Sequence, residues 1–491
     1  MVILASLVVP AAVAVWLLTA GRGLSHRAAN LLAMAASVLT LWAVLLAVIV
    51  RPVVDRAWVP SMGLRWQLAV DGISAPLLLL VAVLGVVVVL HTTDRPPEGG
   101  TSPTFHACLL LVELGALATF YARDAVLFFV AFELVLVPMW VLITRFGDQH
   151  RAAERADAGG RFVLYTAFGS TLMLVGILAL VAQAGTADLD VLAQGAGAGI
   201  PVHTQVLVAA LLTAGLAVKV PVFPLHTWLP SAHTIAPTAG SVLLAAVLLK
   251  MGTYGLVRLP LATLPEGFSR IAPVLGALGA VGILWGGLAC LVERDLKRLV
   301  AYSSVAHMGF VAIGLASGSR TGLQAALFAN IAHGVIASLL FVVVGGLKER
   351  WGSADLETAR AAVREVAPRL GFALVVGFAA SLGLPGLAGF WGEFLAVYAA
   401  WSPAPDRPGG LFRTFAVLAA LGTVLAAAYS LRVLRTVWAG ERTTPLIKDS
   451  RHSEWDVVAV LVLATVVLGV LPGPLLSMTS GAVSSIVGAA P

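Results

Sequence analysis

Long apolar runs follow one another along almost the whole chain, separated by short polar stretches. Most runs reach the roughly 20 residues that a helix needs to cross the hydrocarbon core of a bilayer. A membrane β-barrel would instead show segments of about ten residues with alternating polarity. The pattern therefore predicts an all-α polytopic membrane protein with about 14 transmembrane helices. They are expected at about residues 2–19, 30–50, 73–91, 105–122, 124–144, 162–183, 204–229, 239–259, 271–291, 299–317, 321–347, 370–401, 412–438 and 456–472.

Composition agrees with this class. Of 491 residues, 59% are hydrophobic and only 11% are charged, whereas a soluble protein carries about 25% charged residues. The Gly- and Ser-rich run 473–490 carries no charge and is predicted to be a tail, with a short fifteenth helix as the alternative. Bilayer lipid is therefore the expected surrounding, and the basic pI reflects loops rather than a nucleic-acid partner.

Basic residues in the loops predict the orientation. When Arg258, Arg413 and Arg435, at the ends of predicted helices, are counted with the adjoining loops, 19 of the 31 Lys and Arg fall in loops on one side, nine on the other, and three within helices. Cytoplasmic loops carry the excess of Lys and Arg. The side with 19 is therefore expected to be cytoplasmic, and both termini are expected on the outer face of a bacterial cytoplasmic membrane.

Motifs for cofactors are missing from the sequence. Cys108 and Cys290 lie inside apolar runs and belong to no CxxC pattern, so no iron–sulfur, haem or zinc spacing is present. Neither a dinucleotide-binding GxGxxG in its strand–helix context nor a P-loop is found. We expect no cofactor and no metal site in this chain.

Two predicted helices are interrupted. Pro221 and Pro224 break the seventh, and the segment GLPGLAGF, 383–390, breaks the twelfth. Backbone breaks are tolerated at membrane depth only where protein or a wet cavity satisfies the freed groups. The breaks lie five helices apart, which predicts two inverted five-helix repeats, helices 4–8 and 9–13. The expected regions are 1–104 (three N-terminal helices), 105–260 and 261–440 (the repeats) and 441–491 (last helix and tail).

Ionisable residues inside the apolar runs are the candidate site. A charged residue at a helix centre costs about 2.5–3.5 kcal/mol on insertion scales, and such residues are a functional-site hypothesis by default. The principal candidates are Glu133, Lys219, Lys250, His307, His333 and Glu393. Glu113, His226 and Arg432 are possible accessory residues.

Together these side chains predict a proton path. Burial disfavours the charged form of a lysine and a nearby carboxylate favours it, so Glu133 and Lys219 would titrate as a unit if they approach. Moving the carboxylate away would release the proton. Histidine, with an ordinary pKa of about 6.5, suits relay positions. The alternative is a set of static buried ion pairs that fixes helix packing.

Several segments resemble one known family. They are DAVLFFVAFELVLVPMW (124–140), AVKVPVFPLHTWLPSAHTIAPT (217–238), VLLKMGTYGLVR (247–258), DLKRLVAYSSVAHMGF (295–310), NIAHGVIASLLF (330–341) and GLPGLAGFWGEFL (383–395). They are similar to the antiporter-like membrane subunits of respiratory NADH:quinone oxidoreductase, complex I, over about residues 63–440. Glu393, where other subunits of that family have Lys, resembles the M type of subunit.

The resemblance implies a role for each candidate. Glu133, Lys219 and Lys250 would form the input half of a proton channel, His307 and His333 the relay, and Glu393 the output. Quinone reduction, flavin and iron–sulfur clusters would belong to partner subunits, so this chain would be a non-redox subunit of the enzyme. Ser231 and Ile235 depart from the family pattern, which has acidic residues there. A subunit of an Mrp-type cation/proton antiporter, or the membrane subunit of a hydrogenase-like complex, stays open as an alternative.

Overall fold

The computed structural model describes residues 1–356, 362–441 and 447–488, and it is mostly helical. In these described ranges, twelve helices are long and apolar enough to cross a membrane, and the shorter Val2–Leu18 and Pro368–Ser381 complete fourteen spans in chain order. The predicted fold class is thereby confirmed. The spans are Val2–Leu18, His26–Val50, Ser74–His91, Ser102–Tyr121, Ala125–Thr144, Ala152–Ala184, Val202–Lys219, Thr238–Leu261, Pro265–Val292, Leu296–Ala316, Arg320–Trp351, Pro368–Ser381, Gly409–Trp438 and His452–Val470.

The seventh and twelfth spans are broken, as their prolines and glycines predict. The seventh span ends its first helix at Lys219 and resumes as Trp228–Ile235. The twelfth stops at Ser381 and resumes as Gly389–Trp401. Proline removes a backbone donor and clashes with the preceding turn, so these sequences cannot continue one α-helix. Each predicted five-helix repeat therefore carries its break in its fourth helix.

Two further spans are irregular in ways that the sequence did not reveal. The fifth is interrupted directly after Glu133, where Ala125–Glu133 gives way to Leu136–Thr144. The eighth contains two π-helical turns, Leu244–Leu248 and Val257–Leu261, on either side of the helix Leu249–Leu256. π-turns add one residue per turn and often occur at functional sites.

Regions outside the spans add elements to those predicted. Val54–Val59 and Leu64–Leu68 pair as an antiparallel hairpin between the second and third spans, within the N-terminal segment predicted to hold three helices. The run predicted to be a tail forms the helix Gly473–Gly488. The backbone carbonyl of Met478 lies where a Cβ at Gly72 would stand, so glycine permits this helix to approach the start of the third span.

The chain folds as two compact units. The first comprises residues 1–220, 247–274 and 477–491, and the second comprises residues 221–246 and 275–476. The boundary at Val220–Pro221 falls in the break of the seventh span. The second half of that span, with His226 and His233, therefore belongs with the second unit.

Asp71 anchors a buried charge cluster in the first unit. One carboxylate oxygen accepts hydrogen bonds from the backbone N–H groups of Ile73 and Ser74, which begin the third span, as expected for a cap. The other pairs with Arg123, at 2.9 Å, and with Arg258. Both guanidinium groups are buried. Burial alone would raise the pKa of the Asp71 carboxyl, but Arg258 and Arg123 outweigh it and hold that pKa well below its ordinary value.

The Asp71 cluster should contribute strongly to stability. Because the folded pKa lies below the ordinary value of about 3.9, the contribution is complete at neutral pH and is lost only in strong acid. Asp71→Asn leaves Arg258 buried without its counter-charge, which should cost about 3 kcal/mol. Thermal unfolding in detergent measures it. Asp55→Asn, at the exposed Asp55–Arg65 pair, is the control and should change little; equal effects of the two variants would contradict this account.

Candidate functional site

Glu133 and Lys219 face a common region of the first unit. Glu133 is the last residue of its helix, at the interruption of the fifth span, and the Ser170 hydroxyl on the sixth span donates a hydrogen bond to its Oε1. The sixth and seventh spans approach closely because Gly169 and Gly215 leave no side chain between them. Small residues let membrane helices pack in this way. That packing brings Lys219, one turn beyond Gly215, toward Glu133.

Lys219 is buried but makes no hydrogen bond through its ammonium group to any described residue. Its Nζ instead lies 5.0 Å from the ring centroid of Phe132 and 5.8 Å from that of Phe162. A desolvated cation over an aromatic face gains about 2 kcal/mol, comparable to the insertion cost of a lysine at a helix centre. The rings therefore stabilise the charged lysine without fixing it through a hydrogen bond.

The carboxylate of Glu133 acts on Lys219 at a distance. Its charge affects the ammonium group, yet no Lys219–Glu133 ion pair within 4.0 Å occurs in the described part of the chain. A static, closed ion pair is thus not what the structure holds. The two groups stand apart with Phe132 beside them, an arrangement in which a small movement or a water changes their interaction.

Lys250 is fully buried in the eighth span, two residues after the π-turn Leu244–Leu248. Gly252, on the same helix, faces the end of the helix that carries Lys219. A Cβ at Gly252 would stand 3.0 Å from the Cβ of Lys219 and 2.9 Å from a methyl group of Val220. Glycine therefore allows the two lysine-bearing helices to touch.

His307 and Glu393 form a direct pair in the second unit. His307 Nδ1 lies 3.0 Å from Glu393 Oε1, and its Nε2 lies 2.9 Å from the Ser381 hydroxyl. Ser381 and Glu393 stand on the two sides of the break in the twelfth span. At Gly383, inside the break, φ is +75° and a Cβ would stand 2.9 Å from Glu393 Oε2. Only glycine suits both that backbone conformation and that close approach.

A small cavity joins this pair to His333. The rings of His307 and His333 meet edge to face, with centroids 5.7 Å apart. The cavity measures about 20 Å³, room for about one water molecule. Gly392 lets the twelfth span pack against Ala329 of the eleventh, which brings Glu393 to the same cavity as His333. Its walls are His307, Phe310, Ala329, Ala332, His333, Ile336, Gly389 and Glu393.

The accessory candidates occupy separate places. Glu113 is buried in the fourth span and accepts a hydrogen bond from Ser37. His226 lies in the break of the seventh span, stacked on Phe223. Arg432 donates to the carbonyl groups of Cys290 and Leu291, so its contacts satisfy the end of the ninth span.

Sequence reasoning missed four polar residues near the candidates. Ser170 and Ser381 bind Glu133 and His307, but serines are unremarkable in an apolar helix. Lys297, counted with the loops, is buried and donates from Nζ to the Ala236 carbonyl at 2.8 Å. His233 is buried against the Phe341 ring, 4.4 Å between centroids. Both His233 and Lys297 lie in quoted family segments, the one signal that pointed to them.

These side chains define the site chemically. Carboxylates, lysines and histidines exchange protons, and none of the described residues forms a cluster of three or more His, Cys, Asp or Glu suited to a metal ion. Broken spans with buried proton-exchanging groups define an antiporter-like multi-pass membrane protein.

Comparison with known proteins places the chain in a family. The model described as NADH:quinone oxidoreductase/Mrp antiporter, TM, matches residues 122–408. NAD(P)H-quinone oxidoreductase chain 4 1 of Synechococcus sp. (strain JA-3-3Ab) is 40% identical over 85% of this chain and 78% of its own length. NADH-quinone oxidoreductase subunit M of Rhodobacter capsulatus is 36% identical over 88% and 84%. The chain belongs to this transmembrane family, and the resemblance seen in its motifs is confirmed.

Solved structures agree on the fold. A chain of respiratory complex I from Thermus thermophilus with bound NADH superposes with a TM-score of 0.89 at 29% identity, covering all of both chains. A chain of the Mrp complex from Dietzia sp. DQ12-45-1b reaches 0.86 at 19% identity over 100% of this chain and 98% of its own. At that identity the second likeness concerns the fold alone.

The contact at Gly252 can be tested by adding one methyl group. Gly252→Ala forces the lysine-bearing helices apart and should destabilise the protein by about 1–3 kcal/mol, the usual cost of overpacking. Gly160→Ala is the matched control, since a Cβ there meets nothing within 4 Å and alanine favours a helix. Thermal unfolding of both variants in detergent compares them. A Gly252→Ala protein as stable as Gly160→Ala would contradict the contact.

Proposed function

We propose that this chain is the M-type, proton-translocating membrane subunit of an NADH:quinone oxidoreductase. The observation that carries the proposal is Lys219, a buried ammonium held over two aromatic rings beside Glu133 and at a helix break. A cation with no hydrogen bond to any described side chain or carbonyl gives little to packing. A group that gains and loses a proton must not be held in its charged form by fixed hydrogen bonds, and Lys219 meets this condition.

Two sets of residues would carry the proton. In the first unit, Glu133 sets the field at Lys219, and Lys250 follows on the adjoining helix. In the second, His307 and His333 relay the proton through the cavity to Glu393. Histidine suits the relay because one ring nitrogen accepts while the other donates, and His307 has a polar partner at each.

Electron transfer would take place in other subunits of the complex. The chain would work as a non-redox subunit, and the flavin and iron–sulfur clusters would lie in partner subunits. Neighbouring antiporter-like subunits would flank it in a bacterial cytoplasmic membrane, with both termini outside as the basic loops favour. The relatives' names, NADH-quinone oxidoreductase subunit M among them, support this assembly.

The alternatives share the fold but differ in partners. An Mrp-type antiporter subunit would purify with small hydrophobic proteins that lack redox centres, and a hydrogenase-like complex would contain a nickel–iron subunit. Isolation of the intact complex in mild detergent therefore separates them. Flavin, iron–sulfur subunits and NADH oxidation in the same preparation are expected; their absence would overturn the proposal.

Removing either group of the first pair should uncouple the enzyme. In Glu133→Gln and Lys219→Ala complexes, NADH oxidation by an artificial acceptor should persist, because electron transfer to that acceptor needs no proton path. Proton pumping and coupled quinone reduction should fall by at least about 100-fold, the usual effect of a lost proton-transfer group. Pumping into proteoliposomes measures it. Glu154→Gln, at an exposed Arg151 pair, is the control; full coupling in either site variant would contradict the role.

The cavity of the second unit can be tested by filling it. Ala332→Leu adds three carbon atoms to a wall residue that is 1% exposed and leaves every titratable group unchanged. It should reduce coupled pumping by about tenfold or more, because water no longer fits between His333 and Glu393. Ala332→Ser, similar in size and polar, should pump normally. Equal rates in both variants would show that this cavity carries no proton.

A further inference from the structure

The second and fourth spans, both in the first unit, are joined by a regular series of polar contacts that includes the accessory candidate Glu113 but none of the six principal candidates. His26 Nδ1 lies 3.0 Å from the Ser102 hydroxyl, Asn30 Nδ2 lies 3.2 Å from His106 Nε2, and Ser37 donates to Glu113 at 3.1 Å. Each pair is separated by the same 76 residues. The helices therefore run side by side in one register, and we call these three contacts the polar ladder.

The polar ladder leads from a partly exposed end to a buried one. His26 and Ser102 are partly exposed at the end where the loops 19–25 and 92–101 lie, whereas His106 and Glu113 are 0% and 1% exposed. His106 and Glu113 are seven residues apart, about 10 Å along one helix face. Between the Asn30–His106 contact and the Ser37–Glu113 contact, the two helices carry apolar residues, Ala33 on the second span and Leu109 on the fourth. Water must therefore enter between these two contacts for a proton to pass.

Glu113 is the unusual end of the ladder. Its Oε2 accepts from Ser37, but its buried Oε1 has no hydrogen-bond partner among the described residues. From the third span, Gly85 faces it; a Cβ there would stand 2.5 Å from Oε1. A buried carboxyl with one open oxygen and a glycine opposite is poorly suited to packing alone, since a buried unpaired oxygen is costly.

We propose that the titratable residues of the polar ladder form a separate proton-access path, in which His26 and His106 pass protons from the partly exposed end to Glu113, while Asn30 only holds the two helices in register and carries no proton. His106 Nδ1 lies 2.8 Å from the Ser102 carbonyl and its Nε2 lies 3.2 Å from the Asn30 amide, so a proton reaches and leaves this ring only through water that replaces these contacts. The Glu113 carboxylate that receives the proton becomes a carboxylic acid. Loops 19–25 and 92–101 are on the side that the basic residues favour as cytoplasmic, so the path would load protons from the cytoplasm. The inference rests on the proposed function.

The competing explanation is that the polar ladder only fixes the register of the two helices. Variants distinguish this explanation from proton access. Glu113→Gln and His106→Gln retain hydrogen-bonding atoms but remove the titratable group. Asn30→Ala removes the bonds to His106, Val89 and Thr92 but retains both titratable groups. Proton access predicts at least about tenfold slower pumping in the two Gln variants and near-normal pumping in Asn30→Ala, with all complexes assembled. The reverse order would overturn it.

A second measurement does not depend on turnover. In the intact complex, infrared difference spectra against Glu113→Gln identify the carbonyl band of the protonated Glu113, which shifts when its proton exchanges with D₂O. His106→Leu should slow that exchange at least about tenfold, while Asn30→Ala leaves it unchanged. An exchange rate that is insensitive to His106, or a Glu113 carboxyl that is never protonated where the complex is active, would overturn the inference. Normal pumping by Glu113→Gln beside a defective Glu133→Gln would reject this path and retain the proposed function.

Discussion

The cost of placing a charge in hydrocarbon governs the arrangement of this protein. Lys219 is buried at the end of a helix, where the chain leaves α-helical geometry for eight residues before Trp228. The rings of Phe132 and Phe162 stabilise its charge, and Glu133 adds an opposite charge without closing a salt bridge. A closed pair would lower the energy of the charged state and hold it. In the open arrangement, small movements nearby change how strongly the Lys219 ammonium group holds its proton.

Four of the six principal candidates stand next to an irregularity of their helix. Glu133 ends one helix, Lys219 ends another, Lys250 follows a π-turn, and Glu393 follows the break in the twelfth span. An unbroken helix satisfies all its backbone groups and offers nothing to water. In the second unit a cavity lies between His307, His333 and Glu393.

Sequence alone predicted the spans and the two broken helices, because apolar length and proline are local signals; the roles of the principal candidate residues stay predictions. It did not predict the break after Glu133 or the π-turns, although Pro138 follows that break and removes the hydrogen bond to the Leu134 carbonyl, and Pro260 lies inside the second π-turn. Ser170, Ser381 and the burial of Lys297 were missed because they depend on neighbours distant in sequence. The hairpin 54–68 was overlooked among loop residues. The contribution of Gly252 and Gly383 also appears only once the packed helices are known.

The central claim is that Lys219 works by exchanging a proton and not by carrying a fixed charge. Lys219→Arg distinguishes proton exchange from a fixed charge, because a guanidinium group retains the positive charge but does not release its proton in proteins. The decisive measurement is the number of protons pumped per NADH oxidised by the reconstituted Lys219→Arg complex. The account predicts that pumping collapses although the charge is still present. A wild-type ratio of protons to NADH would contradict it, since a permanent cation would then suffice.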